Sequence, residues 1–264
     1  RLRAHSTMAS FSSRLWQGAA VVATTGAVSS LWYWHVTSAA CPNVALESVS
    51  HASTLRALLV SAAGQTYAGP PLCGAAFQME VPTAWIEHYQ GRSPNKLDAC
   101  GLAQQLLLAF RKAASGAGAP SATLEPGAPL DGTGLRLLGI VSPGHKQPQL
   151  PSNMPAPPCA LPVVPAHGAH DTASILYYWD VPRDQRLLSR SLPIRGGVHE
   201  LMVERISERT ARVTLVIAGV YDAPSTSWAV TGTHSLQCSY ARSLLLGTVS
   251  ELERANGAHE LTRL

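Results

Sequence analysis

The stretch VHELMVERISERTARVTLVIAGVY, Val198 to Tyr221, decides the class of the fold. Two apolar runs flank a polar break at Ser207–Thr210. The second run, ARVTLVIAGVY, carries β-branched residues through its first half, and stiff branched side chains fit a pleated surface better than a helix. A four-residue polar break between two such runs predicts an antiparallel hairpin, Val198–Ile206 against Ala211–Tyr221. His199 and Glu200 are neighbours on its first strand. Their side chains therefore point to opposite faces, which argues against a joint acid/base role.

Working outward, Ile175–Val181 and Arg186–Ile194 read as further strands, with Arg195-Gly196-Gly197 as the turn before the hairpin. Beyond it, Ser227–Thr231 reads as a short strand. Leu236–Asn256 reads as a closing helix with Leu236, Tyr240, Leu244 and Leu252 inward and Gly257 as its stop. Gly247 in its middle opposes that helix. Residues 113–171 lose periodicity and hold eleven prolines, including PSNMPAPPCALPVVP. They read as a Pro/Gly-rich extended arm, partly polyproline II, laid either along a partner or on its own domain. Leu135–Val141 is a candidate strand inside it.

The first half is helical in pattern. His51–Ala63 places Leu55, Leu58, Leu59 and Ala62 on one face, with Ser50 or Ser53 as cap and Gly64 at the end. Gly69-Pro70-Pro71 reads as a turn. Cys73–Val81 reads as a strand with Ala75, Phe77 and Met79 on one face. A second helix is predicted from the Ser93 N-cap and Pro94, with Leu97, Leu102, Leu106, Leu107 and Phe110 apolar and Arg111 and Lys112 favouring the helix dipole at its end.

Upstream, GAAVVATTGAVSSLWYWHV (Gly18–Val36) lies in a window from Arg14 to Glu47 that holds no other Asp, Glu, Lys or Arg. About 20 apolar residues suffice to cross a bilayer, so a transmembrane helix is expected at 18–37. Trp16 at one end and Trp32, Tyr33 and Trp34 at the other fit the two membrane interfaces. Gly18, Val22, Gly26 and Ser30 share a face on which a partner helix can approach closely. A buried core helix, a cleaved secretory signal ending at Ser38-Ala39-Ala40 and a lipoprotein signal ending at Cys41 are the competing readings. Residues 1–17 carry Arg1, Arg3 and Arg14, several Ser and no acid, the composition of a mitochondrial targeting leader, or else of a plain basic tail. With the basic side toward the matrix, the rest of the chain is expected in the intermembrane space.

The chain has 264 residues, 46% hydrophobic and 14% charged, with a formal net charge of +4. Its Lys and Arg are scattered rather than striped, so nucleic acid is a poor partner. No HExxH, phosphate loop, dinucleotide fingerprint or nucleophile elbow occurs. His167 and His170 have no carboxylate or thiol at ligand spacing. Asp180, Asp184 and Asp222 read as turn and edge residues. No catalytic residue, cofactor, metal site or small-molecule substrate is therefore expected. Of the five cysteines, Cys73 and Cys100 form the candidate disulfide; five reduced thiols are the alternative.

Two segments, LRALLVSAAGQTYAGPPLCG (Leu55–Gly74) and SLPIRGGVHELMVERISERTARVTLVIAG (Ser191–Gly219), together with the N-terminal apolar stretch, resemble a family of mitochondrial inner-membrane proteins. That family includes a cytochrome c oxidase assembly factor and a regulatory subunit of the presequence translocase. The resemblance implies a single anchor and an intermembrane-space α+β domain that makes protein contacts without chemistry of its own. It covers about a fifth of the chain; the second helix and the Pro-rich insert depart from the pattern.

The expected architecture is α+β: one N-terminal transmembrane helix, then a small antiparallel sheet with two or three helices and a long Pro/Gly-rich insert. Its parts are a leader (1–17), an anchor (18–37), a helical first half (38–112), the arm (113–171) and a β-rich second half with a C-terminal helix (172–264). The expected function is that of a non-catalytic accessory subunit of a respiratory-chain complex, touching membrane lipid and other subunits. A transient assembly or import factor and a membrane-anchored enzyme are the alternatives.

Overall fold

The computed structural model describes residues 38–64, 68–91, 96–115, 126–127, 129–130, 135–141, 158–162, 171–181, 193–222 and 227–261. The leader, the expected anchor with Gly18, Val22, Gly26 and Ser30, and the aromatics Trp16, Trp32, Tyr33 and Trp34 lie outside these residues. Among the described residues no helix is long and apolar enough to cross a membrane.

From Cys41 onward the chain is built on one antiparallel sheet of seven strands. These are β1 (Asn43–Val44), β2 (Leu72–Pro82), β3 (Pro129–Leu130), β4 (Leu135–Val141), β5 (Thr172–Asp180), β6 (Ile194–Arg205) and β7 (Thr210–Tyr221). They lie in the order β1-β2-β7-β6-β5-β4-β3. The expected hairpin is its centre. β6 and β7 pair from Ile194↔Tyr221 to Arg205↔Ala211, and Ile206 and Ser207 donate backbone bonds to Thr210 at the turn. β2 pairs along the whole of β7, from Leu72↔Val220 to Pro82↔Thr210. The α+β class with an antiparallel sheet is thus observed, with more strands than the small sheet expected.

Among the described residues, α1 (Thr54–Ala63), α2 (Thr83–Glu87), α3 (Ala99–Ser115) and α4 (Trp228–Leu261) pack on the sheet. Strand alternation sorts the core into two layers. On one face Phe77, Val81, Tyr177, Leu201, Val213 and Leu215 meet Leu102, Leu106 and Phe110 of α3 and Ala241, Leu245 and Leu252 of α4. On the other, Ala76, Tyr178, Met202, Val216 and Ala218 meet Leu55, Leu58 and Leu59 of α1. Burying each such Leu contributes about 1.5–3 kcal/mol. Of the two candidate caps, Ser50 and Ser53, it is Ser53 that caps α1, accepting from the Arg56 backbone N–H.

Several expectations need correcting. The second helix starts at Ala99, later than Ser93 predicted, because Asp98 caps it: its carboxylate accepts from the Gly101 N–H at 2.7 Å. A carboxylate at this position satisfies a backbone donor that the first turn leaves open. Ser93, Pro94 and most of the expected strand Arg186–Ile194 lie outside the described residues, and Ile194 opens β6. Leu135–Val141 is a strand as predicted, but it is a full member of the sheet, paired to β5, rather than part of a free arm. Cys159 and Leu161 likewise pack into the α1-side core.

Arg195-Gly196-Gly197 is no turn; it lies inside β6 at a register shift. A Cβ on Gly196 would stand 2.4 Å from the Trp179 carbonyl oxygen, and one on Gly197 2.7 Å from the Trp179 indole nitrogen. These glycines admit a close crossing rather than a reversal. Ser227–Thr231 is the start of α4, not a strand, with the Thr231 N–H bonded to the Ser227 carbonyl. α4 also passes through Gly247 and Gly257. A Cβ at Gly247 would sit 3.4 Å from Ala113, so the glycine marks where α4 crosses α3. Charges close the open side of this layer. Glu251 of α4 accepts from Tyr89 and Arg254 and pairs with Lys112 of α3 at 2.9 Å. Burial pushes its carboxyl pKa up, but hydrogen bonds from Lys112, Arg254 and Tyr89 outweigh that and hold it below the usual value.

Candidate functional site

The first half of α4 is where the fold leaves surface uncovered. Its buried side, Val230, Cys238, Ala241 and Leu245, faces the sheet. At 3.6 residues per turn, Trp228, Leu236 and Tyr240 fall within an arc of about 120° on another side. They are 87%, 72% and 42% exposed. Leu236 and Tyr240 therefore point outward, against the expectation that they face the core. Their i, i+4 spacing is real, but the buried stripe is the adjacent one, through Cys238, Ala241, Leu245 and Leu252.

This stripe borders a cavity of about 320 Å³ between α4 and the sheet. Leu135, Trp179, Ile194 and His199 line it from the strands, and Thr233, Leu236, Gln237 and Tyr240 from the helix. The lining is mainly apolar and holds no formal charge beyond what His199 would carry if protonated. Gln237 is held by the Tyr221 hydroxyl, which donates to its Oε1 at 2.8 Å.

His199 is the one ionisable imidazole of the lining. It is 5% exposed, and burial lowers its pKa to about 4, so the ring is neutral at physiological pH. Its Nδ1 is buried without a hydrogen-bond partner among the described residues. Tyr177, its register partner on β5, likewise has a buried hydroxyl without one, and stacks on Phe110 with ring centroids 5.3 Å apart. Glu200 points to the opposite face, as alternation requires, and meets α1 rather than His199. No acid/base pair is formed here.

Five free cysteines are present. The expected Cys73–Cys100 bridge is absent for a geometric reason. Cys73 pairs with Gly219 at one end of β7. Cys100 opens α3 beside the other end, where the Arg205 guanidinium donates to the Leu97 carbonyl and pairs with Glu87 at 2.8 Å. The nine residues of β7 from Ala211 to Gly219 span about 26 Å, whereas a disulfide joins Cα atoms less than about 7 Å apart. Cys238 lies near Cys73 instead, its Sγ 3.6 Å from the His234 Nε2.

Among the described residues no group of three or more His, Cys, Asp or Glu side chains could hold a metal ion. His167 and His170 lie outside them. The legible signal that sequence reading missed is Trp228: a tryptophan in a polar, Ser/Thr-rich context four and eight residues from Gly232 and Leu236. No protein-family profile matches the chain, and no curated protein or solved structure matches it.

Proposed function

We propose that this chain is a non-catalytic accessory subunit of a mitochondrial inner-membrane respiratory-chain complex, working through protein contacts. The observation that supports it is the exposed apolar stripe of Trp228, Leu236 and Tyr240 on α4. Exposed apolar patches of this kind mark interaction sites, and tryptophan and tyrosine are typical anchors of such contacts. The sequence supports the location: an acid-poor Arg/Ser leader at 1–17 and a charge-free apolar stretch at 18–37 suited to an anchor, with the soluble part in the intermembrane space. The resemblance of Leu55–Gly74 and Ser191–Gly219 to the oxidase-assembly and translocase family supports the same compartment.

The test is native electrophoresis of mitochondria solubilised in mild detergent, comparing the unmodified chain with a W228S/L236S variant. The expected result is co-migration with a respiratory complex at about one copy per core subunit, lost in the variant while its thermal unfolding is unchanged. Substoichiometric presence in sub-assemblies only would assign the transient assembly or import role instead. Absence from mitochondria, or a monodisperse chain on its own, would overturn the reading.

A further inference from the structure

The cavity beneath α4 has the attributes of a ligand site rather than of a packing defect. Its volume of about 320 Å³ is at the lower end of small-molecule pockets, and it would take about ten waters. Water is a poor tenant here, because a stable buried water needs two to four polar partners and this lining is mainly Leu135, Trp179, Ile194, Leu236 and Tyr240. Yet one wall presents the imidazole of His199. The ring lines an otherwise mainly apolar space, so an occupant with one polar group can meet the imidazole while the rest of it lies on the apolar walls.

We propose that this cavity binds a small neutral molecule, largely apolar, carrying a single hydroxyl or carbonyl group that hydrogen-bonds the imidazole of His199. The chemistry of the walls selects this class. A neutral imidazole holds one donor and one acceptor nitrogen, so it can serve either a carbonyl or a hydroxyl. No Lys or Arg lines the cavity, so an anionic group entering it would be desolvated without a partner. The burial that keeps His199 uncharged removes the only other source of positive charge. Trp179 adds an aromatic side chain to the strand-side wall.

This proposal is independent of the accessory-subunit reading, since it concerns the purified chain alone. The test is titration of the folded full chain, in detergent, with three probes of one shape: 2-naphthol, naphthalene and 2-naphthoate. Binding is followed by the ring signals of ¹⁵N-labelled histidine and by calorimetry at pH 7. The expected order is 2-naphthol at least tenfold tighter than naphthalene, with 2-naphthoate no tighter than naphthalene, and a shift confined to one histidine, His199. In H199L the preference for the naphthol should vanish while naphthalene still binds. L236W, a change at an exposed position on the rim, should weaken all three probes, and it keeps the test valid if H199L fails to fold. Equal affinity for naphthol and naphthalene, tightest binding of the naphthoate, or binding indifferent to L236W would overturn it.

Discussion

The Glu200 carboxylate accepts a hydrogen bond of 2.6 Å from the hydroxyl of Ser53, 147 residues away in the chain. The same carboxylate accepts from the backbone N–H groups of Thr54 and Leu55, at 3.1 and 2.8 Å. A side chain from the central strand thereby caps the first turn of α1, meeting backbone donors that a helix start leaves open. Burial pushes the Glu200 pKa up, against these bonds and one from Ser174.

Glu200→Leu leaves two backbone donors and the Ser53 hydroxyl without their acceptor. It should destabilise the fold by about 3 kcal/mol or more, since each buried unsatisfied group costs about 1–3 kcal/mol. Glu200→Gln keeps one acceptor oxygen but turns an N–H₂ toward a backbone N–H, and should cost about 1–3 kcal/mol. Amide hydrogen exchange should show the loss first at residues 54–58. Unchanged exchange there would refute the capping role.

His199 gives stability a pH dependence of defined sign. Its folded pKa, about 4, is below its ordinary value of 6.5, so between these values the unfolded chain binds more protons. Its contribution is present above pH 6.5 and is lost as pH falls to 4, by about 3 kcal/mol over that window. His234, also lowered by burial, acts in the same direction. Glu200, whose pKa is raised, acts oppositely. Urea unfolding of the parent and of His199→Gln at pH 7 and pH 4 isolates the term: the variant should lose less stability on acidification.

The glycines of the two long elements should respond with opposite signs. Gly232, in α4, has nothing within 4 Å of where a Cβ would stand, so Gly232→Ala should stabilise by about 1 kcal/mol through helix propensity. Gly197→Ala would push against the Ala218 carbonyl oxygen at 2.8 Å and the Trp179 indole. It should destabilise by about 1–3 kcal/mol, as overpacking does. Thermal unfolding of both variants checks the pair.

All five thiols should titrate with Ellman's reagent after denaturation without reductant. In the native state Cys41 and Cys159 should react slowest, since burial raises both thiols to about 11 and only the thiolate is nucleophilic. The unsubstituted chain should show the same midpoint of thermal unfolding in oxidising and reducing buffer, as should Cys73→Ser and Cys100→Ser. A difference of several degrees would show that one of them is bridged.

Local physics was legible where one short segment decides its own conformation. The β-branched run at 211–221, the four-residue turn before it and the strand at Leu135–Val141 are all set by backbone preference and hydrophobic period and were legible in the sequence, as was a cap for α1 at Ser50 or Ser53. Alternation alone also separated His199 from Glu200.

Tertiary structure decided what depends on neighbours. Periodicity puts Leu236 and Tyr240 on one helix side, but only the tertiary structure extends that helix back to Trp228 and turns this side outward. Gly196 and Gly197 carry turn chemistry in isolation, and Trp179 crossing over them makes them strand. The partner of Glu200 could not be read from any spacing, because its bond to Ser53 spans the chain and forms only when β6 enters the sheet beneath α1. The cavity at His199 likewise exists only between elements that the sequence lists far apart. Packing over long chain separations sets these features, and a one-dimensional pattern records propensity without recording which surfaces will meet.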